Sequence, residues 1–136
     1  MTMIKQMLSA FMITVGLIAF STSAKAEPIL QILDRNFNYL QGYAYDLGVI
    51  PVGQTTSFEM DYLNDGDFPL VVYHVRSSSH RTRMDQAAEQ VLHPGAPSYF
   101  TGTVTTHQPG HGRSRIDIFS NASDRPTSIE IRWFGE

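Results

Sequence analysis

Five histidines, at positions 74, 80, 93, 107 and 111, have the most immediate capacity for chemistry, since a neutral imidazole binds zinc or copper and titrates near neutral pH. Only His107 and His111 stand close together, and Pro109-Gly110 between them forbids the helix that would place both rings on one face. The stretch His107 to Gly112 therefore reads as a loop, and it holds no Asp or Glu to complete or orient a ligand set. His74 lies in an apolar run and reads as an exposed or hydrogen-bonded strand residue. Ser77-Ser78-Ser79 beside His80 brings nucleophile and base types together. A triad is defined by geometry rather than adjacency, and no G-x-S-x-G is present, so a polar connection is expected. Asp61, Asp65 and Asp67 offer hard oxygen ligands for Ca²⁺ but lack the closing bidentate Glu of a known loop. Asn121-Ala122-Ser123 fits a glycosylation sequon, which matters only in a eukaryotic secretory route. The expectation is no catalytic, cofactor-binding or metal-binding residue, no cofactor, and no enzymatic activity. Arg76, Arg81 and Arg83 cluster near one loop, with Arg113 and Arg115 on a later strand. A local cationic patch there suits a carboxylate, phosphate or sulfated partner through bidentate hydrogen bonds.

The framework that must position these groups has no cysteine, so disulfide exchange, thiolate catalysis, a lipid anchor on Cys and Cys-ligated metal are all excluded. The 136-residue chain opens with Lys5, an apolar run from Met7 to Phe20, and Ala24-Lys25-Ala26 at its end. That is the pattern of a secretory signal peptide over residues 1–26, too short in its apolar core for a spanning helix. Cleavage after Ala26 leaves one domain's worth of chain starting at Glu27, with no membrane span. Residues 27–136 carry eight Arg and no Lys against thirteen acids. An excess of negative charge argues against nucleic acid as a partner.

From residue 43 onward, short apolar or alternating stretches are punctuated by Gly, Pro, Asn and Asp. Strands are expected at 43–47, 55–63, 70–75, 91–92, 98–105, 113–119 and 128–134. Phe58, Met60 and Tyr62 share one face of the second of these, and Ile129, Ile131 and Trp133 one face of the last. About seven strands point to an all-β, immunoglobulin-like antiparallel sandwich over residues 43–136. Residues 84–90 contain good helix formers sufficient for one turn. Residues 27–42 form either a leading strand or a free arm.

Four blocks of punctuation carry a family likeness: Tyr45-Asp46-Leu47-Gly48 with Gly53 beyond; Phe58 leading to Asn64-x-Gly66-x-x-Pro69-Leu70; Leu92-x-Pro94-Gly95; and Gly112 leading to Ile116-x-Ile118-x-Ser120-Asn121 with Pro126 beyond. In this order the sequence resembles the bacterial exported family of uncharacterised immunoglobulin-like domains akin to the Hydin-type (ASH) and major-sperm-protein domains. The resemblance implies the sandwich fold and export, and no agreed activity. Many members of that family carry Cys-Gly-Cys where this chain has Ser77-Ser78-Ser79-His80, so any metal or disulfide role of that triplet does not carry over. The function expected is a non-enzymatic binding or structural module, periplasmic or extracellular, whose partner is another envelope or extracellular protein met through edge strands or loops. The alternative is a metal-handling or chaperone-like accessory using His80, His107 and His111.

Overall fold

Alternation of apolar and polar side chains organises most of this chain into strands with one dry face. The computed structural model of the protein describes residues 26–85 and 89–136, so the expected signal peptide, apart from Ala26, and the centre of the expected helical turn lie outside the described residues. Nine strands are present and no helix is found among the described residues. They are β1 (Leu30–Ile32), β2 (Ala44–Ile50), β3 (Thr55–Asn64), β4 (Leu70–Ser77), β5 (Thr82–Met84), β6 (Gln90–Leu92), β7 (Pro97–Thr105), β8 (Gly110–Ser120) and β9 (Thr127–Gly135).

The strands form two sheets, ordered β1-β3-β7-β5 and β2-β9-β8-β4-β6, the immunoglobulin-like sandwich expected from the sequence. Two features of that expectation are corrected. The strand count is nine rather than about seven, because β1 and β5, of three residues each, are too short to show an alternation. Their pairing with β3 and β7 comes from chain far away in sequence. The sheets are also not wholly antiparallel, since β2 runs parallel to β9, while the other pairs are antiparallel. Residues 30–32 form a strand, not a free arm.

The core is what alternation predicts. Met60 and Tyr62 of β3, Val104 of β7, Ile116 and Ile118 of β8, and Ile131 of β9 are fully enclosed. Tyr62 stacks on Phe100 of β7 with ring centroids 4.4 Å apart. A polar pair also crosses between the sheets, where the Ser114 hydroxyl donates to Thr82 Oγ1 at 2.6 Å. This buried contact helps give β5 its place, since Thr82-Arg83-Met84, with one apolar residue, does not announce a strand.

Trp133, the single tryptophan, lies buried on β9 opposite Gly112 of β8. The indole occupies the space where a side chain at 112 would stand: a Cβ there would come within 2.1 Å of Nε1. This contact also corrects the expected loop over residues 107–112, because β8 begins at Gly110 and Gly112 is a strand position kept bare for packing. Gly112→Ala is expected to lower stability by about 3 kcal/mol, the upper part of the range for overpacking. Urea unfolding followed by Trp133 fluorescence measures it, with the emission red-shifted in the native state if the ring is displaced.

Burial holds the Tyr62 phenol above its ordinary 10.0; the Ser98 hydroxyl nearby opposes this without completing a well-formed hydrogen bond, and the phenol oxygen has no partner among the described residues. Burial raises Tyr45 likewise, the Arg35 charge opposing it. In both cases the folded protein holds the proton more tightly than the unfolded chain. Their contribution to stability is therefore complete below about pH 10 and lost as pH rises through the raised folded values. Alkaline unfolding should accordingly coincide with the ionisation of Tyr45 and Tyr62, followed by tyrosinate absorbance alongside far-ultraviolet circular dichroism.

Candidate binding surface

The side chains that point away from the core on the five-stranded sheet bring four arginines, two histidines and three carboxylates onto one face. From β8 these are His111, Arg113, Arg115, Asp117 and Phe119, at every second residue. From β9 come Ser128, Glu130, Arg132 and Phe134. A register shift between Val72 and His74 turns β4 so that His74 faces Phe119 and Arg76 faces Asp117. At the other end of the sheet Asp46 of β2 stands beside Arg132, and Val49 beside Phe134.

Register decides the electrostatics of this face. Arg113 is paired directly with Arg132 across β8 and β9, an opposition of like charges that costs stability. Glu130 relieves it from one carboxylate: Oε1 lies 2.7 Å from Arg132 Nε, and Oε2 lies 3.7 Å from an Arg113 terminal nitrogen. Arg115 pairs with Asp117 at 3.2 Å, and Asp117 also accepts from the Ser128 hydroxyl at 2.7 Å. Ring contacts hold Arg76, His74 and His111. The Arg76 guanidinium lies 5.2 Å over the Phe119 ring, whose plane also stacks on His74 at 4.4 Å. His111 meets Phe134 edge-on at 4.9 Å. The guanidiniums stay well hydrated despite these contacts, Arg113 having 77% of its side chain exposed.

The opposite outer face, on the four-stranded sheet, differs in character. β3 presents Ser57, Glu59 and Asp61 there, paired with Thr103, Thr101 and Tyr99 of β7, and Arg83 of β5 lies across from Thr103. The five-stranded sheet thus carries a row of four arginines interleaved with carboxylates, while the four-stranded face presents carboxylates and hydroxyls with the single cation Arg83 among these strand residues.

The residues singled out from sequence are distributed as follows. Arg76, Arg113 and Arg115 do share a face, but Arg83 is on the other sheet and Arg81 is in the turn before β5. Arg132, whose outward position was legible, completes the group because β9 is the neighbour of β8. His107 is in the connection before β8, whereas His111 is on the strand itself, so these two are not partners on one loop. His80 stands in the turn after β4, and His93 follows β6. No group of three or more His, Cys, Asp or Glu is placed to hold a metal ion among the described residues. Ser77, Ser78 and Ser79 serve the backbone: Ser77 Oγ accepts from Ser79 N–H, Ser79 Oγ from Arg81 N–H, and Ser78 Oγ from Arg115 N–H. Asp65 accepts from the Tyr39 hydroxyl and Asp67 from Glu27 N–H, while Asp61 faces outward on β3. Asn121 clamps β4, accepting from Val71 N–H at 2.8 Å and donating to the Pro69 carbonyl at 3.1 Å.

Two sheets of this topology around an apolar core define a domain of the immunoglobulin-like class, and solved structures agree. The chain is similar to a protein of unknown function from Porphyromonas gingivalis at 16% identity and a TM-score of 0.60, covering 82% of this chain and 49% of that one. It is also similar to the ASH/PapD-like domain 7 of human CEP192, at 9% identity and a TM-score of 0.56 over 79% and 84% of the two chains. A third similarity is to the secreted serine protease VesC of Vibrio cholerae, at 15% identity and a TM-score of 0.52 over 68% of this chain and 22% of that one. The chain spans about half the length of the Porphyromonas protein. By sequence it belongs to the DUF1573 family, described as a protein of unknown function, which matches residues 40–134. No curated protein matches it.

Because Glu130 contacts both opposed guanidiniums, Glu130→Gln is expected to cost about 0.5–1 kcal/mol. Arg113→Gln introduced into that variant should recover most of the loss, since it removes the repulsion itself. A double-mutant cycle in urea at low salt measures the coupling, which should shrink as salt is raised.

Proposed function

We propose that this protein is an exported, non-enzymatic module that binds a protein partner through the outer face of its five-stranded sheet. The observation that carries the reading is the row Arg76, Arg113, Arg115 and Arg132, held in place by Phe119 and by two carboxylates. Guanidiniums fixed in advance lose less freedom on binding and still have donors to offer in the fork geometry that a carboxylate fits. Half-exposed Phe134 and exposed Val49 at one end of the row add apolar contact. The mixture suits a polypeptide segment that carries acidic and apolar side chains. A long uniform polyanion would meet the negative charge on the rest of the molecule.

Strand addition, the mode expected from sequence, has less to work with. Three of the four sheet edges, β1, β5 and β6, are three residues long. The fourth, β2, is interrupted by a register shift between Asp46 and Val49, and the Arg35 guanidinium occupies the Leu47 carbonyl at 2.7 Å. Short, bulged and capped edges resist pairing with another chain. Export is supported by the leader pattern of residues 1–26, and no helix among the described residues is long and apolar enough to cross a membrane.

Photo-crosslinking in the native envelope tests this. With a photoreactive amino acid substituted for Phe134, adducts to a protein are expected, and Arg113→Gln with Arg132→Gln should abolish them. The same reagent in place of Ser57, on the other sheet, should give none. Adducts from the Ser57 position alone, or from neither, would overturn the reading.

A further inference from the structure

The chain immediately after the leader is held by a dense set of backbone contacts. Glu27 N–H donates to Asp67 Oδ1 at 2.8 Å, and the Glu27 carbonyl accepts from Asp67 N–H at 3.0 Å. Two residues on, Ile29 N–H donates to Asn64 Oδ1 at 3.3 Å and the Ile29 carbonyl accepts from Asp65 N–H at 2.9 Å. Gly66 permits this approach, since a Cβ there would lie 2.1 Å from the Glu27 carbonyl oxygen and 2.7 Å from Ile29 N. The turn from Asn64 to Asp67 is therefore a cradle for the backbone of residues 27–29. Its far end sets a carboxylate against the nitrogen of Glu27, the residue that follows Ala24-Lys25-Ala26.

We infer that this turn is a docking site for the N-terminal ammonium group released when the Ala26–Glu27 bond is hydrolysed. The inference rests on the export reading above. In the hydrolysis, water adds across the peptide bond: the carboxylate departs on Ala26 with the leader, and Glu27 retains the nitrogen as an ammonium. An amide with one donor becomes a cation with three, facing the same Asp67 oxygen. The other ionisable groups nearby are Asp65, which holds the Tyr39 hydroxyl at 2.7 Å, and the carboxylate of Glu27 itself. Carboxylates on the turn favour the cation over the neutral amide. Processing thereby strengthens the contact that fastens β1 against β3.

Thermal unfolding of two forms tests the docking site: the chain beginning at Glu27, released from a fusion by a protease that leaves no residue behind, and the chain beginning at Ala26. At about pH 6 the Glu27 form is expected to melt about 2–4 °C higher. Asp67→Asn should erase the gap, and Asp67 is exposed, so that variant retains the fold. An amine that gains an anionic partner holds its proton more tightly when folded. The gap is therefore full below the ordinary amine range of about 7.7–8.0 and should close by about pH 9.5. Equal melting at pH 6, or a gap that survives Asp67→Asn, overturns the docking site. Intact mass of the protein from its native envelope examines the export reading separately. A first residue other than Glu27 overturns the cleavage, whatever the two melting curves show.

Discussion

A single buried amide ties the ends of this sandwich together. Asn64, at the end of β3, is wholly enclosed, and its side chain satisfies four hydrogen bonds. Nδ2 donates to the Phe68 carbonyl at 2.7 Å and the Leu92 carbonyl at 3.0 Å, while Oδ1 accepts from Gly66 N–H and Ile29 N–H. Its backbone adds two more, to the Ala96 carbonyl and from Gly95 N–H. A buried polar group is tolerated when every partner is present and is costly when one is missing. The four segments that supply those partners are the approach to β1, the turn into β4, the end of β6 and the turn into β7. Asparagine therefore specifies an arrangement that apolar burial alone, being non-directional, leaves loose.

With the interior closed by apolar side chains and this hub, chemistry is displaced to the outer faces. The two sheets treat charge differently, and strand order is the reason. β9 lies between β2 and β8, so Arg113 and Arg132 meet across one pair of strands. Elsewhere on the face Arg76 comes from β4. No local sequence window contains this group, yet each member sits at the polar position of an ordinary alternating strand. The arrangement offers ordered donors at the surface.

Much of this architecture is written in the alternation. Phe58, Met60 and Tyr62 against Ser57, Glu59 and Asp61 announce which side of β3 is dry, and the same holds for Ile129, Ile131 and Trp133. The turn blocks around Gly66, Gly95 and Asn121 are legible because turn chemistry is local. β1 and β5 were not legible as firm strands, since three residues cannot display a period and their existence depends on a distant partner. The start of β8 was misread for a related reason. Pro109, Gly110 and Gly112 are loop formers by propensity, but Gly112 is small because the indole of Trp133, twenty-one residues away, needs the room. The cationic face was half visible: the arginines on β8 could be paired with an outward position, but the choice of neighbour belongs to topology. Arg83 was grouped wrongly because sequence proximity to Arg76 hides a change of sheet between β4 and β5.

The position of β9 has one more consequence, which concerns the order in which the protein can become itself. β9, which follows the other described strands along the chain, is an interior member of its sheet, hydrogen-bonded to β8 on one side and running parallel to β2, the opening strand of that sheet, on the other. Until it arrives, β2 has no neighbour in its own layer, and the seat beside Gly112 stands open. A nascent polypeptide thus holds two unsatisfied strand borders, the kind of surface that recruits chaperones or aggregates. Pairing of β2 with β9 joins residues far apart in sequence, a slow, non-local step by nature. Loss of β9 would therefore remove an interior member of the sheet rather than trim an edge.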